Sequence, residues 1–340
     1  MDEKRKPEWK VPWRGVLVAL LVSAAALVVI FAQTSNPRDV FQELRAYPLR
    51  YFFGALCFVL AAWIVDGQRI GMLVRALGLR IPWWELTIVL GAANFLTLVT
   101  PFAGGGGALI VYYLYRRGLR SSQATAVVLG GGLAGQSALA FLGLITSATL
   151  SDLPADLAPY FTAVRIGAVV YLLILTGLQL GIVKSERLFQ WVFSRTGSKS
   201  RSASWIADFR SAYELLLTKG RWHYAACVMV AISYYVVYYM GSFLLLSGFA
   251  VFHPWLRFAV AVLFGVAPVF SPIPGGAGLS EGISWAVLDG VLHADELASF
   301  IVLWRTVVFY IPILLGGGIF VFLVLRWASG SNITGGKGPY

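Results

Sequence analysis

Arg305 and Glu281 are charged residues set in sequence that is otherwise built for lipid. An arginine at bilayer depth costs about 2.5–3.5 kcal/mol on insertion scales, so Arg305, inside the last apolar run, requires a partner. Glu281 is the candidate. Paired, the two can receive a zwitterionic or anionic headgroup, or they can serve only to tie two helices together. Asp66 and Arg69 stand three residues apart on one helical face and read first as an interfacial ion pair, with a cavity site as the lesser alternative. Asn94 and Gln136 are amides within apolar runs. Hydrogen bonds between helices are their first expected role, and lining a polar cavity their second.

The residues before Glu281 supply a different chemistry. Residues 271–278 read SPIPGGAG and residues 100–107 read TPFAGGGG, an offset of 171 in a chain of 340. Pro101 matches Pro272, Gly104 matches Gly275, Gly105 matches Gly276, and Thr100 matches Ser271 by its hydroxyl. Proline removes an amide donor and glycine lets backbones approach closely, so such a break exposes polar backbone groups. In a membrane those groups are tolerated only inside protein or beside a water-filled cavity. The helical arm that starts after each glycine run aims its first N–H groups at that cavity, which favours an anion such as phosphate. The expected substrate-binding residues are therefore Thr100, Pro101, Gly104, Gly105, Ser271, Pro272, Gly275, Gly276, Glu281 and Arg305. Asn94, Gln136, Asp66 and Arg69 are further cavity candidates. The alternative is that both strings are plain turns between short helices.

Other chemistries lack their residues. There is no nucleophile elbow and no His-Glu-x-x-His, and the glycines at 104–107 are not followed by the Lys-Ser/Thr of a phosphate loop. His223, His253 and His293 are too scattered for a metal set, and Cys57 and Cys227 both lie in apolar runs. No catalytic residue, metal or other cofactor is expected, and the chain is not expected to be an enzyme. A membrane-embedded transferase using Glu281 as a base is the least favoured alternative.

The elements that must position these residues follow from hydropathy. With 58% hydrophobic and 13% charged residues and a mean hydropathy of +0.75, the chain cannot hide its apolar surface in one soluble core. Full-length apolar runs lie near residues 15–33, 51–77, 121–149, 162–183, 222–249 and 298–325. The regions 82–117 and 256–293 are apolar but interrupted by the two Pro/Gly strings. Treating both as hairpins places 21 Lys and Arg on the cytoplasmic side and five outside, whereas treating both as single crossings gives 12 and 14. The expected fold is thus an all-α polytopic membrane protein with six full spans plus two re-entrant Pro/Gly-broken helical hairpins in an inverted-topology repeat. Its parts are a basic cytoplasmic N-terminus (1–14), a first repeat (15–150) with a cytoplasmic-side hairpin (82–117), a second repeat (151–326) and a flexible cytoplasmic tail (327–340). The second repeat holds a basic cytoplasmic loop (184–221) and an outer-side hairpin (256–293). In that loop Leu188, Val192, Trp205, Phe209 and Leu216 have the near-helical spacing of surface-lying amphipathic helices. Inverted repeats with matching broken helices are the pattern of secondary transporters, whose site lies where the breaks meet.

The chain also resembles the flippase-like family, also called the lysylphosphatidylglycerol synthase transmembrane-domain family. The resemblance rests on NFLTLVTPFAGGGGALIVYYLYRRGLRSSQATAVVL from Asn94, SPIPGGAGLSEGISWAVL from Ser271 and LWRTVVFYIPILLGGG from Leu303. It implies movement of lipids with modified headgroups between leaflets. Ser280 stands where family members commonly carry arginine. The expected function is a transporter or flippase for a lipid or lipid-linked substrate with a phosphate-containing headgroup. An accessory subunit of a lipid-modifying enzyme is the second reading. Expected partners are membrane lipids, with anionic lipid facing a basic cytoplasmic surface that accounts for the net charge of +11 without nucleic acid. A homo-oligomer and a separate lipid-modifying enzyme are open partner readings. The expected location is a prokaryotic plasma membrane with both termini cytoplasmic.

Overall fold

The computed structural model describes residues 37–100, 104–150, 154–184, 199–249, 252–266, 273–289 and 291–329, with Leu17, Leu21 and Ala25 as isolated helical positions before them. The rest of the expected first span, the N-terminus, most of the tail, Leu188 and Val192, and the site candidates Pro101, Ser271 and Pro272 lie outside the described residues.

Among the described residues every named element is helical, and five helices are long and apolar enough to cross a membrane. These are Leu49–Ala76, Ser121–Ala148, Ala158–Ile182, Arg221–Ser247 and Ala294–Ala328. In chain order we label α1 (Pro37–Ala46), α2 (Leu49–Ala76), α3 (Trp83–Val99), α4 (Gly104–Arg116), α5 (Ser121–Ala148) and α6 (Ala158–Lys184). There follow α7 (Lys199–Leu217), α8 (Arg221–Ser247), α9 (Pro254–Val266), α10 (Leu279–Leu288), α11 (Ala294–Arg305) and α12 (Ile311–Ala328). On α6 the large apolar residues Ile166, Val170, Leu173 and Ile174 are exposed, as a lipid-facing surface requires. Within the basic loop, α7 buries Phe209 and Tyr213 against Ala126 and Leu133 of α5 and Leu175 of α6.

Each Pro/Gly-interrupted region folds as a pair of short helices. In the first pair, the Tyr113 hydroxyl near the end of α4 donates to Glu85 Oε2 in the first turn of α3 at 2.7 Å, and Arg117 lies 3.6 Å from the same oxygen. The chain therefore returns, after the break, to the level at which it entered. The two helices touch closely: a Cβ on Gly106 would stand 2.6 Å from the Ala93 carbonyl oxygen, so only glycine permits this approach.

The second pair, α9 and α10, opens elsewhere. Trp255 Nε1 at the start of α9 donates to Thr149 Oγ1 at 3.0 Å, and the Tyr160 hydroxyl donates to Ala286 O near the end of α10 at 3.2 Å. Both open ends of this pair thus meet the connection between α5 and α6. The first pair leads into the opposite end of α5, where Arg120 pairs with Asp208 at 2.8 Å and Trp205 Nε1 donates to Ser121 Oγ at 3.1 Å. The 28 residues of α5 separate these two levels by about 42 Å.

The last long helix is not uniform. Between α11 and α12, residues Thr306–Tyr310 form a π turn in which the Ile311 N–H reaches back to Thr306 O. Pro312, two residues past the turn, has no N–H to give the carbonyl one turn back, so the helix widens instead of continuing its α pattern. Arg305 is the residue just before this turn.

Candidate functional site

The second break is held from three sides. After Ile273 the chain forms a short 3-10 turn, Pro274–Gly276, with φ of +62° at Gly275 and +64° at Gly276. At Gly275 a Cβ would lie 2.2 Å from Phe309 in the π turn and 3.1 Å from Leu98 O in the last turn of α3. The tip is therefore clamped between the end of α3 and the π turn.

Arg305 and Glu281 join this tip to α11. Arg305 Nε lies 2.8 Å from Glu281 Oε1, with the two side chains 2% and 1% exposed. Glu281 Oε2 accepts from the Gly278 N–H at 2.9 Å, capping the first turn of α10. Arg305 Nη1 donates to Gly275 O at 3.2 Å, and the guanidinium lies 4.3 Å from the centre of the Phe309 ring. One nitrogen is left over. Arg305 Nη2 is buried with no hydrogen-bond partner among the described residues, and so are Ser280 Oγ and Gln136 Oε1.

These three residues line one cavity of about 280 Å³, lined also by Thr97, Leu98, Ile273, Gly275 and Gly276. Four tyrosines of α8 complete its wall: Tyr234, Tyr235, Tyr238 and Tyr239. A neighbouring cavity of about 220 Å³ is lined by Asp66, Arg69, Asn94, Gly106 and Gly107. Thr97, Gln136, Tyr234 and Tyr235 line both. In the second cavity Arg69 Nε pairs with Asp66 Oδ1 at 2.5 Å, and Arg69 Nη1 donates to the Gly131 carbonyl of α5.

The structure thus brings Gly275, Gly276, Arg305 and Gln136 to one cavity, and Asp66, Arg69, Asn94 and again Gln136 to the other. Asp66 and Arg69 face a cavity between helices and do more than pair. Among the described residues the Gln136 carbonyl oxygen makes none of the interhelical bonds expected of it. Glu281 sits behind Arg305, with both oxygens committed. Thr100 acts as a local cap: its hydroxyl donates to Leu96 O at 2.6 Å and accepts from the Gly105 N–H at 3.0 Å. Around Gly104 a Cβ would meet nothing within 4 Å, and it is Gly106 and Gly107, one turn further in, that line the second cavity. The first N–H groups of α4 and α10 that were expected to face an anion are in part satisfied by Thr100 and Glu281.

Ser280 and four tyrosines of the first cavity, and the buried Glu85 outside both cavities, are not among the expected site residues. Ser280 was noticed only as a departure from arginine. The four tyrosines carry a readable signal, because positions i, i+1, i+4 and i+5 share one helical face, but in an apolar run they look like ordinary packing. Glu85 lies between two tryptophans and a leucine and is 1% exposed, with one oxygen unpaired among the described residues.

A search among curated proteins found no match. A family model described as the lysylphosphatidylglycerol synthase TM region covers residues 16–316, which include both helical pairs, both cavities and Arg305, and the chain belongs to that family of integral membrane proteins.

Proposed function

We propose that this protein is a membrane transporter that moves a lipid or lipid-linked substrate with a phosphate-containing headgroup between leaflets. The headgroup enters the cavity where the tip of the second helical pair packs against the end of α3. The observation that carries this reading is the buried Arg305 Nη2, left without a hydrogen-bond partner among the described residues, as are Ser280 Oγ and Gln136 Oε1 of the same cavity wall. A buried charged donor without an acceptor is costly, and a phosphate oxygen is the acceptor a guanidinium fits best. The volume of about 280 Å³ is near the lower end of ligand pockets and suits a headgroup, while the acyl chains stay in lipid. The purified protein is expected to retain a phosphate-bearing lipid identifiable by mass spectrometry, and to move that lipid across reconstituted vesicles without altering it. Chemical conversion of the bound lipid would replace transport with the transferase reading.

The same reading makes the two helical pairs re-entrant hairpins from opposite membrane faces, related as an inverted repeat, with both termini cytoplasmic. It is supported by the matching Pro/Gly strings and by the opening of the two pairs at opposite ends of α5. In a background without Cys57 and Cys227, single cysteines replacing the exposed Arg80 and Arg120 on either side of the first pair are expected to react with an impermeant thiol reagent from the cytoplasm only. One replacing the exposed Asp156 is expected to react only from outside. Reaction of the Arg120→Cys variant from outside turns the first pair into a crossing and removes the inverted repeat.

A further inference from the structure

The tyrosine wall of the Arg305 cavity says what kind of headgroup fits. The rings are committed to one another: Tyr234 stacks on Tyr238 with centroids 6.0 Å apart, and Tyr235 on Tyr239 at 5.9 Å. Tyr234 and Tyr235 meet edge to face at 4.8 Å, as do Tyr238 and Tyr239 at 5.4 Å. Each ring thus packs against two others, and the four residues bring hydroxyls to the wall. A ring edge is the positive end of the aromatic quadrupole, whereas an ammonium cage needs converging faces. No hydrogen bond holds the hydroxyls of Tyr234, Tyr235 or Tyr238 among the described residues.

Charge points the same way. Arg305 is the single ionised side chain in the described wall, and the carboxylate behind it has both oxygens engaged. A cationic headgroup would meet a guanidinium and no available counter-ion in this wall, and Asp66 of the neighbouring cavity is paired with Arg69. A polyol would meet tyrosine hydroxyls, each able to donate and to accept, and the open Gln136 carbonyl. We infer that the headgroup is a phosphate ester of a polyol or sugar, its phosphate held by Arg305 Nη2 and its hydroxyls by Tyr235, Tyr238 and Gln136. This deepens the transport reading and rests on it for the lipid part of the substrate.

Phosphatidylinositol, phosphatidylcholine, phosphatidylethanolamine and soluble inositol phosphate are the probes. Each is added to the full chain in detergent, and thermal unfolding is followed. The three lipids, in fluorescent form, are then followed across vesicles of phosphatidylcholine containing the protein. Phosphatidylinositol and inositol phosphate are expected to raise the unfolding temperature, and phosphatidylinositol to cross at least about tenfold faster than either ammonium lipid. The double variant Tyr235→Phe with Tyr238→Phe keeps the rings and is expected to unfold at the wild-type temperature without ligand. It should move phosphatidylinositol about tenfold or more slowly, the effect of two lost hydrogen bonds, and leave the ammonium lipids unchanged.

An ammonium lipid that stabilises or crosses as well as phosphatidylinositol overturns the inference and leaves transport standing. So does a double variant with its headgroup preference intact. Stabilisation by phosphatidylinositol with no lipid crossing at all supports the inference and removes transport. Stabilisation by inositol phosphate alone overturns the lipid form of the ligand in favour of the free ester.

Discussion

Leucine in place of Gly275 is expected to abolish lipid movement, and alanine there to reduce it severely, while leucine in place of Gly104 leaves movement near wild type. The two glycines occupy matching places in the two Pro/Gly strings, but their surroundings differ. Gly275 has a φ of +62°, and its Cβ would stand 2.2 Å from Phe309 and 3.1 Å from Leu98 O. A non-glycine residue held in that conformation costs about 1–3 kcal/mol. Forcing extra volume into the contact costs a similar amount, about 1–3 kcal/mol. The cheapest relief is to lift the tip away from α3, which also withdraws the Gly275 carbonyl from Arg305 and opens the cavity wall. Gly104 meets nothing within 4 Å and carries no such constraint. Thermal unfolding of the monodisperse variants and movement of a labelled phospholipid in vesicles measure the two effects separately. Full transport by the Gly275→Leu variant means that the tip is a plain turn and the close approach is dispensable.

The contrast between these two glycines shows where the sequence is readable and where it is not. Both breaks were legible, because proline and glycine act on the backbone wherever they stand and a repeated Pro/Gly string marks two broken helices. The pairing of Arg305 with Glu281 was legible for a related reason: a charge at depth must find its opposite, and one candidate stood close by. What could not be read was which glycines face the cavity. That depends on the rotation of α4 about α3, fixed by the contact of Gly106 with Ala93, and the rotation turns Gly106 and Gly107 inward in place of Gly104. The same holds for Tyr234, Tyr235, Tyr238 and Tyr239. Their shared face is evident from spacing, but whether it meets lipid, a helix or a polar cavity is set by how α8 packs against α2, α5 and α11. Glu85 was hidden differently: next to Trp83 and Trp84 it has the appearance of an interfacial charge, and only the return of α4 brings Tyr113 and Arg117 to it.

The largest separation of function from stability is expected at the Arg305–Glu281 pair. Both side chains are almost wholly buried, so removing either alone strands the other and costs about 3–5 kcal/mol, while replacing both with apolar residues of similar size is close to neutral. Glu281 has a second duty. Its Oε2 caps the Gly278 N–H, so the Glu281→Leu change adds about 1 kcal/mol of lost capping that no change at Arg305 restores. Stability should therefore fall in the Arg305→Met and Glu281→Leu variants and recover in the double variant, short of the wild type by roughly the cap. Transport should not recover with it. Arg305 Nη2 has no hydrogen-bond partner among the described residues, and methionine offers a phosphate nothing in exchange for its hydration, so the double variant is expected to be folded and inactive. A pair that only stitches the second tip to α11 gives the opposite pattern, with lipid movement rising and falling with the unfolding temperature across all three variants. Measuring both quantities on the same preparations decides between them, and a stable double variant with undiminished lipid movement removes Arg305 and Glu281 from the transport mechanism.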